Sequence, residues 1–204
     1  MTITFPLTLP DTGFTASSVG ADFNNRTTQS LSRVPQTVSA AGDLLILEFQ
    51  LPRKTRAQIA AWQAFGMALR GSYGSFYGYD PDARTPRGSA PGAPLVNGAD
   101  QSGYTLVTDG WTASQTNILR AGDWIEVGGL LRMVVADVDS DGFGNATLDI
   151  SPGIGAGQSP ADNAAIVTTN AKGKFRLVED RIKWDSDMLR LGMMSFVAVE
   201  DLRP

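Results

Sequence analysis

The chain has 204 residues, 42% apolar and 19% charged, enough for one large domain or two small ones, each with a buried core. It contains no cysteine and no histidine, which excludes disulfides, zinc ribbons, thiol nucleophiles and imidazole bases, and lowers the expectation of catalysis. The net charge of −4 is uneven: residues 81–170 hold four arginines against ten acids, and the remainder 13 bases against 11 acids. Two units with different surroundings are expected, without a basic cluster to track phosphates.

Residues 1–50 read as strands. Phe5 to Leu9 alternates and ends at Pro10; Asn24 to Pro35 is polar and Ser/Thr-rich, with a turn expected at Asn24-Asn25. Asp43 to Leu51 has the nearly continuous apolar character of a buried strand, ended by Pro52. Thr55-Arg-Ala-Gln58 has the form of a capping box and opens a helix with one apolar stripe, Ile59, Trp62, Phe65 and Leu69; Gly71 is its expected stop. Such a helix must lie on an apolar surface. In Gly71 to Tyr79, aromatics alternate with glycine and serine. Trp62, Phe65, Tyr73, Phe76 and Tyr77 are candidates for a subunit interface, with strand-on-helix packing as the alternative for the tyrosines and Phe76.

Residues 81–94, rich in proline, glycine and small polar residues, read as a linker. Beyond it, short strands are expected at 104–107, 111–119, 123–127, 130–135 and 146–150, with Gly128-Gly129 as a hairpin turn. After an irregular stretch, 165–169, 175–178 and 189–199 follow, the last two resembling the first fifty residues in character. The expected fold is mainly β. A β-sandwich domain with one packed α-helix (residues 1–80 plus 171–204) carries an inserted, acidic, small β-barrel or sandwich (95–170). No run of 18 apolar residues occurs, so no membrane insertion is expected, and residues 1–10 lack the pattern of a signal peptide, which points to assembly in a cytoplasm.

Asp137-Val-Asp139-Ser-Asp141-Gly142 begins like a calcium loop, with oxygen ligands at alternate positions, but position twelve is Leu148 where a bidentate glutamate is needed. Asp137, Asp139 and Asp141 therefore stand as calcium candidates against a solvated turn. No cofactor is expected. Carboxylate pairs for glycoside hydrolysis can be drawn from Asp123, Glu126, Glu179, Asp180, Asp185 and Asp187, but 21 acids always supply some such pair, and a non-enzyme is expected. Trp111 and Trp124, with Asp123, and also Trp184, are candidates for stacking on sugar rings, with core packing as the alternative.

Several segments in order carry a family resemblance. They are Trp62-Gln-Ala-Phe65 through Leu69-Arg-Gly71, Phe76 and Asp80-Pro81; Leu119-Arg-Ala-Gly122-Asp123-Trp124-Ile125; Leu131-Arg-Met-Val134; Gly144 through Leu148 to Ile150-Ser-Pro152; Phe175-Arg-Leu177; and Met194 to Asp201. Together they resemble the distal tail proteins (minor tail proteins, baseplate hubs) of long-tailed phages and gene transfer agents. Met133 departs from that pattern, where an aromatic-Gln pair is usual. The resemblance implies a structural virion protein at the tail tip, assembled in the bacterial host cytoplasm. It would form a hexamer whose "belt" domains line a ring joining tail tube to baseplate. The implied partners are further copies of itself, the tail tube protein, the baseplate hub and the tape-measure protein, with DNA passing through the lumen without specific binding. The alternative is a carbohydrate-binding module contacting host glycans. Ring contacts are expected at sheet edges Ile3–Leu9 and Leu189–Val199.

Overall fold

A helix forms where the stripe of apolar residues recurs every three or four positions. The Gln58 side-chain carbonyl reaches back to accept the Thr55 N–H at 3.2 Å and its hydroxyl at 3.1 Å, so the two residues of the expected box do meet. Ile59, Trp62, Phe65 and Leu69 are all buried, as the stripe requires. The helix stops one residue earlier than Gly71: Arg70 already adopts the left-handed conformation, and Gly71 follows at φ 70°. A Cβ at Gly71 would lie 2.7 Å from the Asp180 backbone, so only glycine fits there.

The computed structural model describes residues 3–10, 13, 16–39 and 42–203; Met1 and Pro204, the ends of the expected first domain, lie outside them. Among the described residues the elements in chain order are β1 (Leu7–Thr8), β2 (Ala16–Asp22), β3 (Asn25–Gln29), β4 (Pro35–Ser39), β5 (Leu44–Gln50), α1 (Arg56–Leu69), β6 (Ser75–Gly78), β7 (Gly92–Val96), β8 (Gly103–Trp111), β9 (Trp124–Val127), β10 (Leu130–Val134), β11 (Ala146–Ile154), β12 (Ile166–Val167), β13 (Gly173–Leu177), β14 (Asp185–Ser186), β15 (Gly192–Met193) and β16 (Ser195–Glu200). The protein is mainly β, with a single α-helix among these residues.

The chain divides into two compact units. The first comprises residues 1–20, 45–82 and 172–204. Its sheet has the order β1-β6-β13-β16-β5-β2, so the closing strands do return to the sheet of the opening ones. β1 runs parallel to β6, while β6, β13, β16 and β5 alternate antiparallel. Leu45, Leu47, Phe49, Phe76, Phe175, Leu177 and Ala198 point to the buried face. An aromatic cluster joins helix to sheet: the Trp62 and Phe196 rings are 6.0 Å apart, and Phe65 meets Phe76 edge-on at 5.5 Å.

The second unit comprises residues 21–44 and 83–171. Its sheet has the order β12-β9-β10-β11-β8-β7. The two outer strands then meet: Leu95 bridges Ala165, and the Val96 N–H donates to the Ala164 carbonyl at 2.9 Å, so the sheet closes nearly into a barrel. Gly128 and Gly129 both take positive φ in the β9–β10 turn, the conformation a two-residue hairpin needs. Leu106, Ile118, Leu119, Ile125, Leu131 and Leu148 fill the interior.

The boundaries differ from the expected ones in three places. Residues 83–94 are no free linker. The Ala90 N–H donates to the Ile118 carbonyl at 2.8 Å, the Thr112 N–H to the Pro91 carbonyl at 3.2 Å, and Gly92–Val96 is a barrel strand. Composition marked these residues as loop-like, but their backbone groups are satisfied by the barrel. Residues 21–44, expected in the first domain, group with the barrel instead. The turn expected around Asn24-Asn25 does join β2 to β3, with the Asn25 N–H donating to the Phe23 carbonyl at 2.8 Å, and the chain reverses again at Ser30–Arg33, with Arg33 at φ 61°. Past Trp111, the expected 111–119 strand is mostly loop, tied to the barrel by the Leu119–Val138 bridge and by backbone hydrogen bonds such as the Ile118 N–H to the Val138 carbonyl at 2.8 Å.

Candidate functional site

The aromatic interface candidates separate by burial. Trp62, Phe65 and Phe76 are buried in the helix–sheet core, which corrects their expected place at an interface. The same spacing that makes an apolar stripe also turns it inward, because burying such side chains is worth about 1.5–3 kcal/mol each. Tyr73 is 67% exposed, its ring edge-on to Phe5, and Tyr77 is half-buried with the Lys172 ammonium 4.2 Å from its ring centre. Of the two expected sheet edges, β1 lies at an edge, but β16 is paired on both sides, by β13 and β5.

The sugar-stacking candidates are corrected in the same way. Trp111 and Trp124 are each 4% exposed. The Trp111 indole N–H donates to the Thr108 hydroxyl at 2.8 Å, which in turn donates to the Ala146 carbonyl at 2.8 Å. A ring face buried in the barrel wall offers no platform for a sugar. Asp123, expected beside them, is a buried structural anchor. Its carboxylate accepts the backbone N–H groups of Arg87 at 2.8 Å, Gly88 at 3.0 Å and Arg120 at 2.8 Å. Trp184 is half-exposed, next to β14.

The calcium candidates do not converge. Asp137 accepts the Ala121 N–H at 2.9 Å, and Asp139 accepts the Asn117 N–H at 2.7 Å. Asp141 accepts from the Asn145 side chain at 3.0 Å and from the backbones of Asn145 and Phe143 at 2.8 Å; these bonds hold its carboxyl below the usual range. Among the described residues no group of three potential ligands comes together. The alternating aspartates cap loops, and the Asp141 turn displays an exposed Phe143.

Two further carboxylates are held by the fold of the first unit. The Ser72 hydroxyl donates to Asp180 at 2.6 Å and its N–H at 3.0 Å, which lowers the Asp180 carboxyl. Burial pushes the Asp201 carboxyl up, but two hydrogen bonds from the Arg203 guanidinium, at 2.7 and 2.9 Å, and the nearby Lys174 outweigh it. A groove of about 490 Å³ in the same unit is lined by residues including Glu48, Gln50, Glu179, Arg181, Ser195 and Phe196.

Two hairpins each display several exposed apolar side chains. In β14–β15, Asp187 accepts the Leu189 and Leu191 N–H groups at 2.9 Å and ties a turn that exposes Met188 and Leu189. The longer hairpin is β3–β4. Thr27, Thr28, Thr37 and Val38 favour extended backbone, and Pro35 opens β4 where no ladder donor is required of it. Thr27 and Thr37 face each other with hydroxyl oxygens 2.9 Å apart. Every residue from Ala21 to Ser39 is exposed, including Phe23, Leu31, Val34 and Val38. Its base is fixed: buried Asp43 accepts the Asn24 N–H at 3.0 Å and the Tyr104 hydroxyl at 2.6 Å. The chain thus presents an anchored two-stranded arm with an apolar tip. Sequence reasoning passed over it because its apolar residues are few and spaced among Ser, Thr and Gln. No protein-family model matches the chain, and no curated protein is significantly similar to it.

Proposed function

We propose that the protein is a structural subunit of a closed, hexameric ring at the distal end of a phage-type tail, joining tail tube to baseplate. The observation that carries the assembly role is the β3–β4 arm. An isolated two-stranded hairpin is at best marginally stable in water, and this one exposes Leu31, Val34 and Val38 with nothing of its own to bury them. A neighbour supplies the missing surface. The placement at a tail tip comes from the resemblance described above, as do the tail tube, baseplate hub and tape-measure protein as neighbours in the virion. A net charge of −4 suits a lumen that passes DNA without gripping it. The glycan-binding alternative loses its stacking residues with the burial of Trp111 and Trp124.

Light scattering with negative-stain imaging tests the reading. A 21.7 kDa chain closing into a hexamer gives a species of about 130 kDa and hollow rings on the grid. A chain that stays monomeric at the highest attainable concentration, and forms no rings with tail-tube protein, sinks it.

A further inference from the structure

We infer that the β3–β4 arm of one copy docks on the outer face of the β8–β11 pair in the barrel of a second copy. The inference rests on the ring reading and names the contact that would build the ring. Three observations point to this surface. First, the arm carries charge of one sign. From Phe23 to Gly42 the chain has Arg26 and Arg33 and no acid, whereas residues 81–170 carry ten acids against four arginines. Second, the barrel face offers matching chemistry. Thr147 lies opposite Val107 and Asp149 opposite Thr105, all exposed, and the Val135 N–H donates to the Asp149 carbonyl at 2.9 Å, which places exposed Val135 alongside. Val107 and Val135 are apolar seats for Leu31 and Val34, while the Asp149 carboxylate, and Asp137 two residues beyond Val135, suit the two guanidiniums. Third, the arm and the face are different surfaces of the chain. Their pairing is heterologous, the kind of contact that propagates from copy to copy and closes into a ring when the rotation allows. The fixed base at Asp43 and Tyr104 reduces the ordering cost of docking.

The chain has no cysteine, so engineered cysteines report contacts cleanly. A tagged Ser32→Cys population is mixed with untagged Thr147→Cys and oxidised gently; both positions are exposed. The control pairs Ser32→Cys with Lys183→Cys, an exposed residue of the first unit. Docking gives the Ser32–Thr147 mixed disulfide in about tenfold excess over the control, as a held geometry does over random collision. Adding Arg33→Glu to the first population lowers that excess, and Asp149→Arg in the second restores it. No excess over the control, in a protein whose wild type is multimeric by light scattering, overturns the docking and leaves the ring reading standing. No excess together with a strictly monomeric wild type overturns both.

Discussion

The helix Arg56–Leu69 and the hairpin Asn25–Ser39 treat their apolar residues in opposite ways. The helix carries large ones and buries Trp62, Phe65 and Leu69 against its sheet, leaving only the flexible Met67 outside. The hairpin carries a few aliphatic ones, Leu31, Val34 and Val38, and leaves every one in water. Side-chain size therefore misdirects a search for interfaces. The residues with most to gain from leaving water are the first to be taken by the chain's own core. What remains for a neighbour is the apolar surface that the fold cannot reach, and that is decided by where backbone segments end up.

Substitutions can break this contrast, and the largest effect belongs to the core. Trp62→Ala is expected to cost about 3–5 kcal/mol in urea denaturation. A variant that kept wild-type stability but assembled poorly would return Trp62 to the interface. Asp123→Ala removes the acceptor of three backbone N–H groups and should cost about 3 kcal/mol, with Asp123→Asn milder because one oxygen acceptor remains. If Asp123→Ala were instead as stable as wild type, the buried-anchor role would be wrong. Gly71→Ala forces a side chain against the Asp180 backbone at positive φ, and thermal unfolding should show a loss of about 1–3 kcal/mol.

The Asp201 carboxyl sets an acid limit on the first unit. Its folded value is depressed, so its contribution is present above the ordinary unfolded range and lost as pH falls through the folded value. Stability measured against pH should decline on that acid side, and Asp201→Asn should flatten the decline. The smallest effect is at the arm. Leu31→Ser should change unfolding stability by less than about 0.5 kcal/mol, since the side chain is already fully exposed. A large loss there would mean that the arm packs on its own chain.

Much of this architecture was legible in the sequence because the signals were local. The helix and its inward stripe, the Gly128-Gly129 turn and the alternating strands from 123 to 150 follow from periodicity and turn chemistry within a few residues. The return of the closing strands to the opening sheet was legible from their shared apolar character. The calcium-like spacing was also local, but ligation requires convergence in space, and each aspartate found a nearer backbone amide. Tertiary structure alone decided that residues 83–94 belong to the barrel, because a proline-rich segment shows in sequence that it is not a helix but not whose carbonyls will accept its N–H groups. It decided too that Trp111 and Trp124 face inward and that Leu31 and Val34 do not. Local sequence fixes which conformations a segment prefers. Burial depends on which distant segment arrives to cover it, and for the β3–β4 arm no segment among the described residues of the same chain does.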